Sequence, residues 1–356
     1  MRAQIISKDM IPLCFLSDSR LVCYQKGYII VFDEDSENNH FSISKSLIIR
    51  LFDNYRPLTR LLRFGIRTAI ANDDYHIVVS RGGRLQEVDL MTGDLSKGWN
   101  CKAGVRPLVF SEIKVIDGFE DGVYFGEYYK NDALEPVSIF YRKGIDQWEV
   151  VYTFPRGTIK HVHNIIADPY RNCVWIMTGD FGEAAAIWRA SDGFKNVERV
   201  AGGDQKWRGC VGFAIPEGLL YATDTPFSDN HIFLLKLDGS VETVCDISGS
   251  CIYGGQWKEK FVFSSTVEAD GRDETMAKLL FSKKRGIGIK DDYVRLYVGD
   301  YTLGFKEIYK EKKDCLPFIF QFGAFKFPAG VNNSDTLYFQ PVATKKNDLR
   351  LMGMTF

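Results

Sequence analysis

His161 and His163 stand two residues apart in KHVHNIIAD, a spacing that puts both rings on one face of a strand. Metal sites use that spacing, here with Gln205 or Asp180 as further ligands, and so do residue pairs that move protons or hold a sugar. Three arginines, Arg67, Arg106 and Arg208, open apolar segments elsewhere in the chain, and the acceptors Glu127, Asp180, Asp224 and Asn230 close others. Guanidinium forks grip a carboxylate or sulfate, while Asp, Glu and Asn exchange hydrogen bonds with hydroxyls. The set suits an anionic, hydroxyl-rich ligand, with Gln205 and Tyr128 as further contacts.

Two reactions fit these residue types. Hydrolysis of a glycosidic bond takes a pair of carboxylates, drawn here from Glu127, Asp180 and Asp224, as acid and as base or nucleophile. Glu127 follows Gly126 in an apolar strand, where burial raises a carboxyl pKa toward use as an acid. Elimination on a uronate takes His161, His163 or Tyr128 as the base, with an arginine or a metal ion neutralising the carboxylate. No cofactor is expected, and a divalent metal on His161 and His163 is the alternative. Each residue also has a plain structural reading. Asp180 is a turn former in TGD, the arginines are solvated strand ends, Tyr128 is core or a stacking face, and Trp175, Trp188 and Trp207 pack sheets.

The elements that would carry these groups are short strands. Between Lys160 and Gly203 the chain reads as four strands in an antiparallel meander, broken at Asp168-Pro169-Tyr170-Arg171-Asn172, Gly179-Asp180 and Ser191-Asp192-Gly193. Comparable units start near residues 11, 60, 105, 158, 206, 250 and 315, roughly 45 to 60 residues apart. That is the period of a propeller blade. The expectation is one all-β domain over residues 1–356, a β-propeller of seven blades with six as the alternative and a pair of β-sandwiches as the competitor. The last unit offers three strands, PFIFQFGAF, DTLYFQPVA and LRLMGM, and RAQIIS from the N-terminus supplies a fourth, which removes the open sheet edge. In such a ring the openings of the innermost strands (Arg67, Arg106, His161 with His163, Arg208, Tyr253) and the tips of the second strands (Ser80-Arg81, Glu127-Tyr128, Asp180, Asp224, Ser265 with Glu268) meet at one mouth.

Charge narrows the partner. The 45 basic and 46 acidic residues among 356 create no field favouring nucleic acid, and no apolar run approaches the roughly 18 residues of a membrane helix. MRAQIISKDMIPLCFLSDSR lacks the apolar core of a signal peptide, so a cytoplasmic protein with an acidic glycan as partner is expected. The eight cysteines are scattered singly without a CxxC pair and read as buried thiols.

The strand ending IWRASDGFKNV resembles an Asp-box, with Ser191, Asp192 and Gly193 contiguous and Val197 in place of the aromatic residue. The wider run of GEY, HVH, DP, GD, SDG, GxxQxxR and TD, over about residues 105–350, resembles sialidase-like BNR/Asp-box repeat propellers associated with bacterial surface-polysaccharide gene clusters. The matching positions are Glu127, His161, His163, Asp168, Asp180, Gln205, Arg208, Asp224 and Asn230. The resemblance implies a propeller with a glycan connection. A sialidase proper implies an arginine triad, which Arg67, Arg106 and Arg208 could supply, although the N-terminal arginine motif is absent. The expected function is a carbohydrate-active enzyme on an acidic glycan, hydrolase first and lyase second; the alternative from another class is a non-catalytic glycan- or protein-binding propeller.

Overall fold

The computed structural model describes residues 3–32, 39–43, 56–62, 65–102, 104–270 and 280–355. Seven antiparallel sheets follow one another along the chain, each with its first strand innermost, so the all-β reading with seven blades is what the chain adopts. The first blade spans Ile11–Phe15 to Asn39–Ser42, the second Thr68–Ala71 to Trp99–Asn100, and the third Ser111–Ile113 to Gln147–Phe154. The fourth consists of His161–Asp168, Cys173–Gly179, Ala186–Ser191 and Asn196–Gly202. The fifth consists of Gly209–Ile215, Gly218–Thr223, Asn230–Lys236 and Val241–Ile247. The sixth runs from Tyr253–Trp257 to Gly304–Lys312, with Val331–Asn332 added in parallel along its inner strand.

The seventh blade joins the two ends of the chain. Ala324–Lys326, Thr336–Val342 and Leu351–Thr355 are completed by Ala3–Ser7, with Ala3 opposite Met354 and Ile5 opposite Met352. Pairing the terminal strand in this way satisfies a row of backbone groups that would otherwise be an open edge.

Among the described residues the apolar side chains gather in seven clusters, each between two neighbouring blades. Tyr124, Ile139 and Phe154 of the third blade meet Val162, Ile165 and Ile176 of the fourth, and Trp175 and Met177 meet Leu219 and Tyr221 of the fifth. Middle strands are therefore covered on both faces. Cys173–Gly179 is buried at every position, which is why it reads as a continuous apolar run rather than an alternation.

The boundaries differ from the sequence reading in a few places. The third inner strand begins at Ser111, because Val105 to Phe110 form a loop that carries Arg106 to the mouth. AKLLFSKKRG is not a strand in its described part; residues 277–279 lie outside the described residues, and residues 266–292 are an insertion between the second and third strands of the sixth blade. The end of HFSISKSL also lies outside them. A helix, Arg56–Leu62, stands between the first two blades, where helical periodicity was not apparent. Its Arg60 is buried and reaches across the mouth to Asp314, Asp348 and the Phe320 carbonyl. The innermost strands surround a channel of about 1430 Å³. No described helix is long and apolar enough to cross a membrane.

Candidate functional site

At the mouth where the inner strands begin, the fourth and fifth blades each carry a bulge. The register slips between Val162 and Asn164, leaving His163 as the extra residue, and between Gly209 and Val211, leaving Cys210. A bulge turns its extra side chain out of the regular alternation. His163 consequently aims at His161, and the two Nε2 atoms are 3.1 Å apart. The space for this ring exists because residue 179 is glycine: a Cβ there would lie 2.0 Å from His163 Cε1.

The other ring nitrogens are committed. His161 Nδ1 lies 2.9 Å from the Tyr129 carbonyl and His163 Nδ1 lies 2.9 Å from the Gly209 carbonyl. Carbonyls only accept, so each Nδ1 carries a proton, and the two Nε2 atoms are turned toward each other. Asp180 Oδ1 completes the group at 3.4 Å from His161 Nε2 and 3.3 Å from His163 Nε2. Burial lowers the His161 pKa, outweighing the Asp180 carboxylate beside it, so the neutral ring is the relevant form. Burial opposes the charge on Asp180, but hydrogen bonds to the two histidines and the charge of Arg208 prevail and hold its pKa far below the usual carboxylate range.

Two ring nitrogens and a carboxylate oxygen this close need a proton or a metal cation between them. Their separations of 3.1 to 3.4 Å match those of adjacent ligands about 2.1 Å from one divalent ion. The carbonyl bonds behind each ring are the outer contacts that fix a metal-binding tautomer. Gln205 adds to the fit: its Nε2 donates to the Asp180 carbonyl at 2.8 Å, and its Oε1 is buried without a partner. The residues present fit a divalent metal. His163, Cys210 and Asp224 form a second group whose ligand atoms lie close together.

Arg208, at the opening of the fifth blade, is the cation of the site. Its Nη2 is 3.4 Å from Asp180 Oδ1 and 3.5 Å from Asp224 Oδ2, and its guanidinium lies 5.5 Å from the Phe181 ring centre. Its Nε and Nη1, together with Asp224 Oδ1, are buried without partners. Four of the ten such side-chain atoms among the described residues thus belong to Gln205, Arg208 and Asp224, a concentration expected of a site shaped around a polar ligand. Cys210 Sγ donates to Asp224 Oδ2 at 3.2 Å, and burial next to that carboxylate raises its pKa. Tyr128 lies over His161 with ring centres 4.4 Å apart, and Arg106 covers the Tyr128 ring at 5.6 Å. Burial raises the Tyr128 pKa and keeps it a phenol. Tyr128, Arg106 and Cys210 also line the channel, whereas His161, His163 and Asp180 are not among the residues lining it.

The structure therefore brings together His161, His163, Asp180, Gln205, Arg208, Asp224, Tyr128 and Arg106. It sets three candidates apart. Glu127 is buried with its Oε2 accepting from the Ser138 amide, and its nearby charge is Lys102. Arg67 is an exposed residue of the channel wall at the second blade. Asn230 is fully buried, bonding Thr223, Thr225, Ser228 and Gly288, and so ties the loop after Asp224 to the sixth-blade insertion. Asp168 lies at the opposite end of the strand from His161, where it accepts from Arg171 and from Trp175 Nε1 at 2.7 Å. The Ser191-Asp192-Gly193 turn packs Phe194 against Phe119 of the third blade.

Cys210 and Ser250 escaped the sequence reading, and Glu268 entered it only as a strand tip. Glu268 is buried, bonded by the Ser250 hydroxyl, in the company of Asp224 and Arg208. The insertion holds it there: the Gly286 amide donates to the Glu268 carbonyl, and Gly288 lies so close to Ser228 that a Cβ would meet that carbonyl at 2.0 Å.

No family model matches the chain, and no curated protein matches it. Solved structures do. An oligogalacturonate lyase in complex with manganese superposes with a TM-score of 0.59 at 11% identity, covering 99% of this chain and 90% of that one. A chain of the mitotic checkpoint complex gives 0.56 at 8% identity, covering 100% and 93%. The Myceliophteria thermophila Cps50 (Swd1) β-propeller domain gives 0.53 at 9% identity, covering 100% of both chains. At these identities the likeness defines the chain as a seven-bladed β-propeller. The Asp-box resemblance is not supported by these matches.

Proposed function

We propose that this propeller is a lyase acting on a uronate-containing oligosaccharide or polysaccharide. The observation that carries the reading is the convergence of two imidazole Nε2 atoms and a carboxylate oxygen beside a buried, incompletely paired arginine. The manganese-bound oligogalacturonate lyase among the similar folds supports it. The group favours elimination over hydrolysis because Asp180 is taken up by the histidines and Arg208, and Glu127 faces other partners.

His161, His163 and Asp180, with Gln205 behind them, would hold a divalent metal. When bound, such an ion draws charge from the substrate carboxylate and so acidifies the neighbouring C5–H. Arg208 presents its unpartnered edge to the same carboxylate and stabilises the charge that develops as the C5 proton leaves. Asp224 Oδ1, the free carboxylate oxygen, accepts that proton. As the C4–C5 double bond forms and the C4–O bond breaks, the Tyr128 phenol gives its proton to the departing oxygen. Phe181 and Phe227, with ring centres 5.5 Å apart, offer an apolar wall for a sugar ring at the rim.

The test is incubation with acidic oligosaccharides and manganese, following both the ultraviolet absorbance of a new C4–C5 double bond and new reducing ends. Both signals are the expected result. Reducing ends alone would mean hydrolysis, and neither signal on any acidic glycan would favour a binding propeller.

A further inference from the structure

We propose that Glu268 sits as a neutral carboxylic acid behind Arg208, and that this neutrality makes the site select an anionic sugar ring over an uncharged one. The inference rests on the reading of the site as a receptor for an acidic glycan and adds a residue that sets its specificity.

Glu268 is 5% exposed and its hydrogen-bond partner is a neutral hydroxyl, that of Ser250, itself fully buried. The charged groups whose fields reach it are Asp224 and Arg208 of the fifth blade and Asp180 of the fourth. The insertion that carries it brings Asp270, Lys284, Arg285 and Asp292, but Arg285 is paired with Asp292 at 2.7 Å and Lys284 is nearest Asp270 at 3.9 Å. Among the described residues Arg208 is thus the cation acting on three carboxyl groups, and it already lies against Asp180 and Asp224. A third carboxylate in this dry space would be a buried charge with no cation of its own, which proteins avoid by holding the group protonated. Burial and then the Asp224 charge push the Glu268 pKa up to about 8, against the smaller opposing effects of Arg208 and Ser250.

The charge count shows what neutrality does. Asp180 and Asp224 contribute two negative charges and Arg208 one positive; a divalent ion on the histidine group brings the pocket to a net charge of plus one, which one substrate carboxylate cancels. An ionised Glu268 would cancel it from within the protein. It would also compete for the Nε and Nη1 donors that Arg208 now leaves unpartnered. Glu268 is therefore a positioning residue acting through Arg208, and glutamine, which copies the protonated acid, is its conservative replacement.

The experiment compares the full chain with its Glu268→Gln variant at about pH 6 and about pH 9. Two readouts are needed: thermal unfolding without ligand, and calorimetric binding of trigalacturonate and of maltotriose in the presence of manganese. A raised folded-state pKa gives stability that is present at low pH and lost as pH rises toward about 8, so the wild type should lose about 5 °C in Tm relative to the variant over this interval. Wild-type affinity for trigalacturonate should fall severalfold between about pH 6 and about pH 9 as Glu268 ionises; the variant should bind equally at both pH values, and maltotriose should bind neither. Parallel unfolding curves for the two proteins at both pH values would overturn the proposal. So would a Tm difference accompanied by wild-type affinity that does not change with pH. If the Tm difference appears but trigalacturonate never binds the wild type, the acidic-glycan reading has failed and the specificity role falls with it, while the neutral state of Glu268 is retained.

Discussion

Gly179→Ala changes none of the groups assigned to the site, yet it should abolish the proposed metal binding. The added methyl would stand 2.0 Å from His163 Cε1 and 2.4 Å from Nε2, where ordinary contact begins near 3.4 Å, so the ring must retreat by about 1.4 Å. It has little room to do so. His163 is 2% exposed, its Nδ1 is tied to the Gly209 carbonyl, and residue 179 is in a middle strand buried at every position. A ligand displaced by more than 1 Å no longer shares the point on which His161 Nε2 and Asp180 Oδ1 converge, and manganese affinity should fall about 100-fold. Overpacking should cost about 1–3 kcal/mol of stability, leaving the propeller folded. Titration of manganese by calorimetry or by its paramagnetic resonance signal, beside a thermal unfolding curve, measures both effects. Gly144→Ala is the matched control, because the nearest atom to its methyl lies 3.9 Å away. A folded Gly179→Ala protein that binds manganese within about threefold of the wild type would refute the assignment of His163 as a ligand.

Asp180→Asn keeps the shape and removes the charge, so manganese affinity should fall at least as far as in Gly179→Ala; equal binding in a titration would move the metal elsewhere. Arg60→Ala removes the guanidinium that Asp348 shares with Asp314, leaving Lys313 on Asp314, and should destabilise the protein by about 2–4 kcal/mol, read as a lower urea midpoint. Asn230→Ala leaves the Thr225, Ser228 and Gly288 carbonyls without their donor and should cost about 1–3 kcal/mol in the same assay, since the residue holds the loop after Asp224 rather than a ligand.

The likeness to other propellers covers nearly the whole chain at identities of 8 to 11%, so it is architecture and not a list of shared residues that these proteins have in common. Fold alone does not separate an enzyme from a docking platform. What favours the proposed enzyme is a local feature, two buried histidines whose outer nitrogens are fixed by carbonyls and whose inner nitrogens lie beside a carboxylate.

Several things were legible in the amino-acid sequence. Turn residues at regular intervals mark hairpin-linked strands, and their period marks blades, because each sheet must bury two faces and finds cover only in its neighbours. The terminal strand Ala3–Ser7 could be foreseen from a last unit one strand short. The histidine pair could be foreseen from its spacing, and Arg208 and Asp180 from their places at strand openings and tips. Other features depend on which residues face each other across blades. Glu127 and Asp224 hold equivalent positions after a second strand, yet one faces Ser138 and the other Arg208. The bulges that aim His163 and Cys210 arise from register, which is set by pairing with the next strand and leaves no mark in the period of the chain. Glu268 is brought beside Asp224 by an insertion whose glycines pack on the neighbouring blade, a contact between segments about 60 residues apart. Local pattern in the chain thus marked most of the strands, a blade period that favoured seven over six, and the kinds of group at the mouth. Only the tertiary structure decided which groups share one desolvated space, because burial and opposing charge are properties of the assembled ring.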